Sequence, residues 1–182
     1  MIIESKRIEN NDFSWVLRCP IEYDAMELSE LRLKIDGETE NLDREPGEGM
    51  LTPESFKKLI YEDSIAEKTI FLVAEVGGKI VGFARCEGSK LRRYSHKAEF
   101  GICIAKDYWN YGIGKVLLEN ILIYSDKAGI RKISLSVVQT NIKAIQLYKR
   151  YGFVEEGLLI NDRIHRDGNY YNTVIMGRFV DK

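Results

Sequence analysis

Apolar residues in this chain change their spacing at Thr69. Before that point Ala25, Leu28, Leu31 and Ile35 recur at three- and four-residue intervals, as do Phe56, Leu59 and Ile60. That interval places them on one face of a helix. After it, residues 69–76 and 79–87 are dense in β-branched and aromatic side chains, with Gly77 and Gly78 between them. Two glycines supply the positive φ angles of a tight turn, so these runs are expected to form a β-hairpin. The helical interval then returns twice among further strand-like runs, which calls for a sheet covered by helices.

The rest of the chain completes this pattern. Residues 13–18 form a short β-type run closed by Pro20, and the first helix is expected to end at Gly37. Thr52 followed by Pro53 is a helix start, a hydroxyl cap with proline where no N–H is needed, and the second helix runs to about Ala66. The strand expected at 97–105 directs Ala98, Phe100, Ile102 and Ile104 one way and Glu99, Gly101 and Cys103 the other. A helix at 112–127 ends before Gly129, a strand follows at 132–138, and a helix at 141–151 is stopped by Gly152. Two final strands, 153–164 and 170–179, flank a turn at 166–169. The order β-α-α-β-β-β-α-β-α-β-β implies an α/β mixed sheet with helices on both faces. One domain over 1–182, with its core at about 13–180, accommodates all of it.

Charge and composition exclude several classes. The formal net charge is -1 and no long basic run occurs, so no nucleic-acid footprint is expected. Lys90-Leu91-Arg92-Arg93 is a short solvated cluster, and the stretch 44–49 is a loop between two helices. Cys19, Cys86 and Cys103 form no C-x-x-C pair and there are two histidines, which argues against a metal site. Reduced thiols, a polar N-terminus unlike a signal peptide and no bilayer-length apolar run lead to the expectation of a cytoplasmic protein without membrane contact.

The chemistry concentrates at 102–115, where a strand, a short turn and Tyr111-Gly112-Ile113-Gly114 open a helix. Backbone N–H groups at a helix start are unpaired and carry partial positive charge, and glycine lets an anion approach them. A phosphate or pyrophosphate cradle is one reading; a packing pair of glycines is the other. Lys115 is followed by Val116, so the P-loop pattern is absent. Leu117 occupies the position where the dinucleotide fingerprint needs a third small residue.

Tyr108-Trp109-Asn110-Tyr111-Gly112-Ile113-Gly114 resembles the Q/R-x-x-G-x-G/A pyrophosphate loop of the GNAT N-acetyltransferases. Asn141 to Phe153 is similar to that family's second signature, N-x-x-A-x-x-L-Y-x-x-x-G-F. The strand and helix order matches as well, from about Ile21 to Phe179. Trp109 departs from the pattern, standing where Gln or Arg is commonest, so a cofactor contact from its side chain is in doubt.

The resemblance implies the GNAT fold and an acetyl-CoA-dependent acyltransferase that uses no metal. Ile102, Cys103 and Ile104 would offer backbone groups to the pantetheine arm. Trp109 and the segment Asn110, Tyr111, Gly112, Ile113, Gly114 and Lys115 would hold the pyrophosphate, with a solvated helix lysine as the other account of Lys115. Asn141 and Tyr148, about two turns apart on one helix face, would meet the cofactor. Asn141 also reads as a plain N-cap, and Tyr148 as either a core aromatic or the acid that protonates the departing thiolate. Tyr151 is read as packing.

Glu99 is the candidate base, on the expectation that burial in an apolar strand raises its pKa. A solvent-facing residue or a salt-bridge partner of Lys97 is its other reading. Cys103 lacks a nearby histidine in sequence and reads as a buried thiol rather than a nucleophile. The acceptor would be a primary amine of a small molecule, a polyamine or a peptide, selected by 36–52 and by 165–171 with His165. The acidic residues Glu38, Glu40, Asp43, Glu45 and Glu48 are either a solvated loop or an attractor of cations. A non-catalytic acyl-CoA-binding module and an unrelated nucleotide binder are the competing functional readings. A homodimer is common in the family, and nothing in the sequence decides it.

Overall fold

The computed structural model describes residues 2–10 and 13–181. Strands β1 (Lys6–Asn10) and β2 (Phe13–Arg18) precede helices α1 (Ala25–Glu38) and α2 (Pro53–Ile65). The hairpin of β3 (Ile70–Val76) and β4 (Lys79–Gly88) leads to β5 (Lys97–Ile104). Then come α3 (Ile113–Lys127), β6 (Lys132–Val138), α4 (Ile142–Arg150), β7 (Val154–Ile164) and β8 (Tyr170–Phe179). The strands form one mixed sheet in the order β1-β2-β3-β4-β5-β6-β8-β7. Its parallel pair is β5 with β6.

From β2 onwards the expected order is found, and two points differ. Apolar alternation does not announce β1, because Lys6, Arg7, Glu9 and Asn10 surround a single Ile8; its ladder to β2 makes it a strand. A charged edge strand of this kind discourages pairing with other chains. Helix α1 runs through Gly37 to Glu38 rather than stopping there. Pro46 Cγ stands 3.5 Å from where a Gly37 Cβ would be, so the following loop packs on the helix at that point. The Thr52 cap is as expected, its hydroxyl accepting from Ser55 N at 3.2 Å.

Two apolar layers sandwich the sheet. On one face α3 and α4 bury Ile113, Leu117, Leu118, Ile121 and Ile145 against Leu72, Phe100, Ile133, Leu135 and Met176. On the other, α1 and α2 bury Leu28, Ile35, Phe56 and Ile60 against Phe71, Val73, Phe83 and Cys103. Each such side chain stabilises the fold by about 1.5–3 kcal/mol on burial. The second layer reaches β3, β4 and the end of β5. Beyond it, the same face of β6, β8 and β7 presents Ser136, Thr173 and Arg163 to the loop at 39–48, and a cavity lies between them.

Candidate active site

Strands β5 and β6 begin side by side and then part. Their register covers only Lys97 with Lys132, Ala98 with Ile133 and Glu99 with Ser134. Yet β5 stays paired to β4 as far as Ile104, and β6 stays paired to β8 as far as Val138. The sheet therefore splits, and the backbone groups of residues 101–103 that face β6 have no strand opposite them. Buried backbone groups need partners, so a ligand with amide groups along its length suits this gap. The Ile104 carbonyl is already used: it accepts from Trp109 Nε1 at 2.7 Å. Trp109 thus fastens the turn after β5 by its side chain, a role its departure from the motif did not reveal.

That turn aims α3 at the mouth of the split. Asn110 and Gly112 both have positive φ, 68° and 83°, and reverse the chain within three residues. Gly112 is the N-cap of α3 and no side chain caps it. The first ladder bond of the helix is Val116 N to Gly112 O, at 3.1 Å. The N–H groups of Ile113, Gly114 and Lys115 are left without intrahelical acceptors, which suits an anion. Gly114 lets α3 approach β5, since a Cβ there would meet Ile104 Cδ1 at 3.2 Å. Lys115 is exposed, with Nζ 3.8 Å from Glu119.

The remaining candidates lie on both sides of the split. Tyr148 is buried between Phe100 and Phe153, at ring distances of 6.1 and 5.8 Å. Burial pushes its phenol up to about 12, with Cys103 adding to the rise. Asn141 caps α4, accepting from Ala144 N at 3.3 Å, which leaves its side-chain NH2 for another partner. Tyr151 packs on the core and its hydroxyl donates to Glu119, tying α4 to α3. Cys103 sits on the opposite face; burial pushes its thiol up to about 11, against the pull of the Arg32 guanidinium 3.4 Å away. A thiol so protonated is a poor nucleophile.

Glu99 corrects one expectation. It is exposed rather than buried. Helices α1 and α2 cover the far end of β5 at Cys103 but not its beginning, and Gly101 beside Glu99 has no side chain to shield it. Nor does Lys97 pair with it; that ammonium lies 5.5 Å from the Tyr94 ring centroid. Across the ladder Glu99 stands opposite Glu87, whose carboxylate is taken by Arg85 at 2.6 Å.

Several carboxylates of the acidic segment after α1 are tied to other parts of the protein. Asp43 pairs with Arg163 at 2.9 Å, and Glu45 with Arg166 at 3.1 Å. Glu40 accepts from Arg166 N at 2.6 Å, and Glu38 accepts from Lys106 N at 2.7 Å. The segment is thus a strap laid across the β7–β8 hairpin, and the cavity of about 680 Å³ lies beneath it. Ser136 of β6, next to the split, lines one part of the cavity, and His165 lines another. Sequence spacing could not find these pairs, since their partners lie some 120 positions apart.

The fold and the split sheet with its helix-start cradle define an acyl-CoA acyltransferase architecture, and the comparisons with known proteins agree. Residues 38–153 match the model of the Acetyltransferase (GNAT) family, and the chain belongs to that family. An L-amino acid N-acetyltransferase of Escherichia coli is 33% identical over 59% of this chain. The matched part covers 66% of that relative, just under two thirds of its length. A GNAT acetyltransferase structure from Streptococcus pneumoniae superposes with a TM-score of 0.86 at 27% identity, over 91% of this chain and 99% of that one. A Salmonella typhimurium acetyltransferase solved with acetyl-CoA has a TM-score of 0.80 at 15% identity, over 92% and 95% of the two chains. At that identity the likeness is one of fold.

Proposed function

We propose that this chain transfers the acetyl group of acetyl-CoA to a primary amine by direct attack in a ternary complex. The observation that carries this reading is the split between β5 and β6 opening onto the uncapped, glycine-started α3. In this reading the pyrophosphate lies on the amides of residues 112–115 and the pantetheine arm pairs with the free backbone of β5. The Asn141 side-chain NH2 adds a hydrogen bond from the start of α4.

Tyr148 and Glu99 lie on opposite faces of the sheet beside the gap, so a thioester threaded through it meets each from its own side. The amine nitrogen attacks the carbonyl carbon, its proton passes to Glu99 directly or through water, and the carbon–sulfur bond breaks. A backbone N–H of β5 near Cys103 supports the oxyanion. Tyr148 faces the sulfur as a hydrogen-bond donor. Thiols ordinarily lose their proton near 8.5. Complete transfer from a phenol held at about 12 is therefore uphill by roughly 5 kcal/mol. A shared proton that stabilises the departing thiolate is the economical role.

Titration calorimetry with acetyl-CoA, with ATP and NAD as controls, tests the cradle. Micromolar binding of acetyl-CoA alone supports it, and binding of neither acetyl-CoA nor coenzyme A ends it. Binding without acetyl transfer to any amine of a broad panel, amino acids included, would make the protein an acyl-CoA-binding module instead. Among the described residues no helix is long and apolar enough to cross a membrane, and we place the protein in the cytoplasm. We further infer a homodimer through β7, an edge strand whose Val154, Leu158 and Ile160 are all exposed. Its free backbone groups can pair antiparallel with the same strand of a second copy.

A further inference from the structure

His165 occupies an unusual position beside the cavity. Its side chain is 10% exposed, and its ring stacks on Tyr171 with centroids 3.9 Å apart and planes 17° apart. The Tyr171 hydroxyl is in turn fixed by Asp167 at 2.7 Å. Glu40 lies on the Nδ1 side of the imidazole, 3.9 Å away. Nε2, by contrast, is buried and has no hydrogen-bond partner among the described residues. The carboxylate favours the proton on Nδ1, which leaves Nε2 a bare acceptor. Buried polar atoms without partners are rare in native proteins; His165 lines the cavity, and its sealed Nε2 becomes reachable by a group from outside once the strap above it shifts.

The lining says what kind of group that is. Glu40, Asp43, Glu45, Glu48 and Asp162 outnumber Arg44, Arg163 and Arg166 around the cavity, so its field favours a cation. Ser136, beside the split where the acetyl group would be transferred, and His165, under the strap, both line the cavity. Ser136 stands opposite Ile175 of β8, four residues or about 13 Å along the strand from the Tyr171 that His165 stacks on. An acceptor that fills the cavity has its reacting amine at the Ser136 end and a second group at the His165 end. Resting on the acetyltransferase reading above, we propose that the acceptor is a diamine or longer cationic amine, and that His165 Nε2 accepts a hydrogen bond from its distal ammonium. Glu40 orients the imidazole, and the strap beyond it, at Asp43 and Glu45, gives way on entry because those carboxylates are exposed. The carboxylates of Asp43 and Glu45 are 79% and 57% accessible.

The test compares octane-1,8-diamine with octylamine, which differ only in the second ammonium; the longer chain is chosen because the two ends of the site are about four strand residues apart. The chain has two histidines, so His96→Gln leaves one imidazole to follow by long-range 1H–15N NMR. The diamine is expected to shift the His165 Nε2 resonance and octylamine to leave it in place. In kinetics, His165→Phe preserves the stack on Tyr171 and removes the acceptor. It should raise the KM for the diamine about tenfold, the loss of one charge-assisted hydrogen bond. Its kcat/KM for octylamine should stay within about twofold of the parent, a change too small to reflect a lost contact. His165→Gln, whose amide oxygen restores an acceptor, should recover most of the diamine KM. Equal changes for both amines, or no diamine-specific shift at Nε2, would overturn the proposal. Failure of the two readings is separable. A His165 shift with neither amine acetylated keeps the recognition site and removes the activity. Acetylation of the diamine with an unmoved KM in His165→Phe does the reverse.

Discussion

Tyr148 is packed in the core and is proposed to take part in the chemistry as well. Its ring completes a cluster with Phe100 and Phe153, and no protein group among the described residues takes its hydroxyl. Tyr148→Phe therefore keeps the packing, and thermal unfolding should move little. Turnover should fall by about a hundredfold, the low end for a general acid, if the hydroxyl shares its proton with the departing thiolate as proposed. Acetyl-CoA affinity measured by calorimetry should be unchanged; a matching loss of affinity would show that Tyr148 only holds the cofactor. At this scale the sequence was legible where a residue's role depends on near neighbours. Asn141 as a cap and Cys103 as a buried thiol follow from local pattern. The burial expected of Glu99 is not found, because its exposure depends on how far α1 and α2 extend over the sheet, and no spacing along β5 records that.

At the scale of elements, the start of α3 is governed by Gly112. Its φ of 83° costs an ordinary L-residue about 1–2 kcal/mol. Gly112→Ala should lower the melting temperature by roughly 2–4 °C per kcal/mol for a domain of this size. Acetyl-CoA binding should weaken as well, since relief of the strain turns the amides away from the anion. Full-strength binding would remove Gly112 from the cradle.

The β7–β8 hairpin carries a pH signature. Hydrogen bonds from the Tyr171 hydroxyl and Asn169 hold the Asp167 carboxyl at about 2, below its ordinary 3.8. A carboxyl depressed on folding contributes its stability above the ordinary value and loses it as pH falls towards the depressed one. The contact should thus persist at pH 4 and fade near pH 2 in a carboxyl 13C titration; a midpoint near 3.8 would show that it does not form in solution. Helices and central strands were readable from apolar period. The charged β1 and the strap were not, because the one lacks a period and the other is held by partners distant in sequence.

The whole molecule has two edges of different character. The β1 edge is short and charged. The β7 edge is long and exposed, and it adjoins a groove of about 610 Å³ against α4 lined by Ile142, Ile145 and Leu158. Light scattering should give a dimer of the 21.0 kDa chain, and Ile160→Lys should yield the monomer; an unmodified chain that is monomeric at high concentration would sink the β7 interface. The split between β5 and β6 has a further consequence. Past Glu99 and Ser134 the two halves of the sheet lose their shared ladder, so no strand pairing holds this seam closed. A bound cosubstrate that pairs with β5 works as a keystone, and the free energy of its binding becomes resistance to unfolding. In the cell, the supply of acetyl-CoA would then set the lifetime of this protein as well as its rate of turnover.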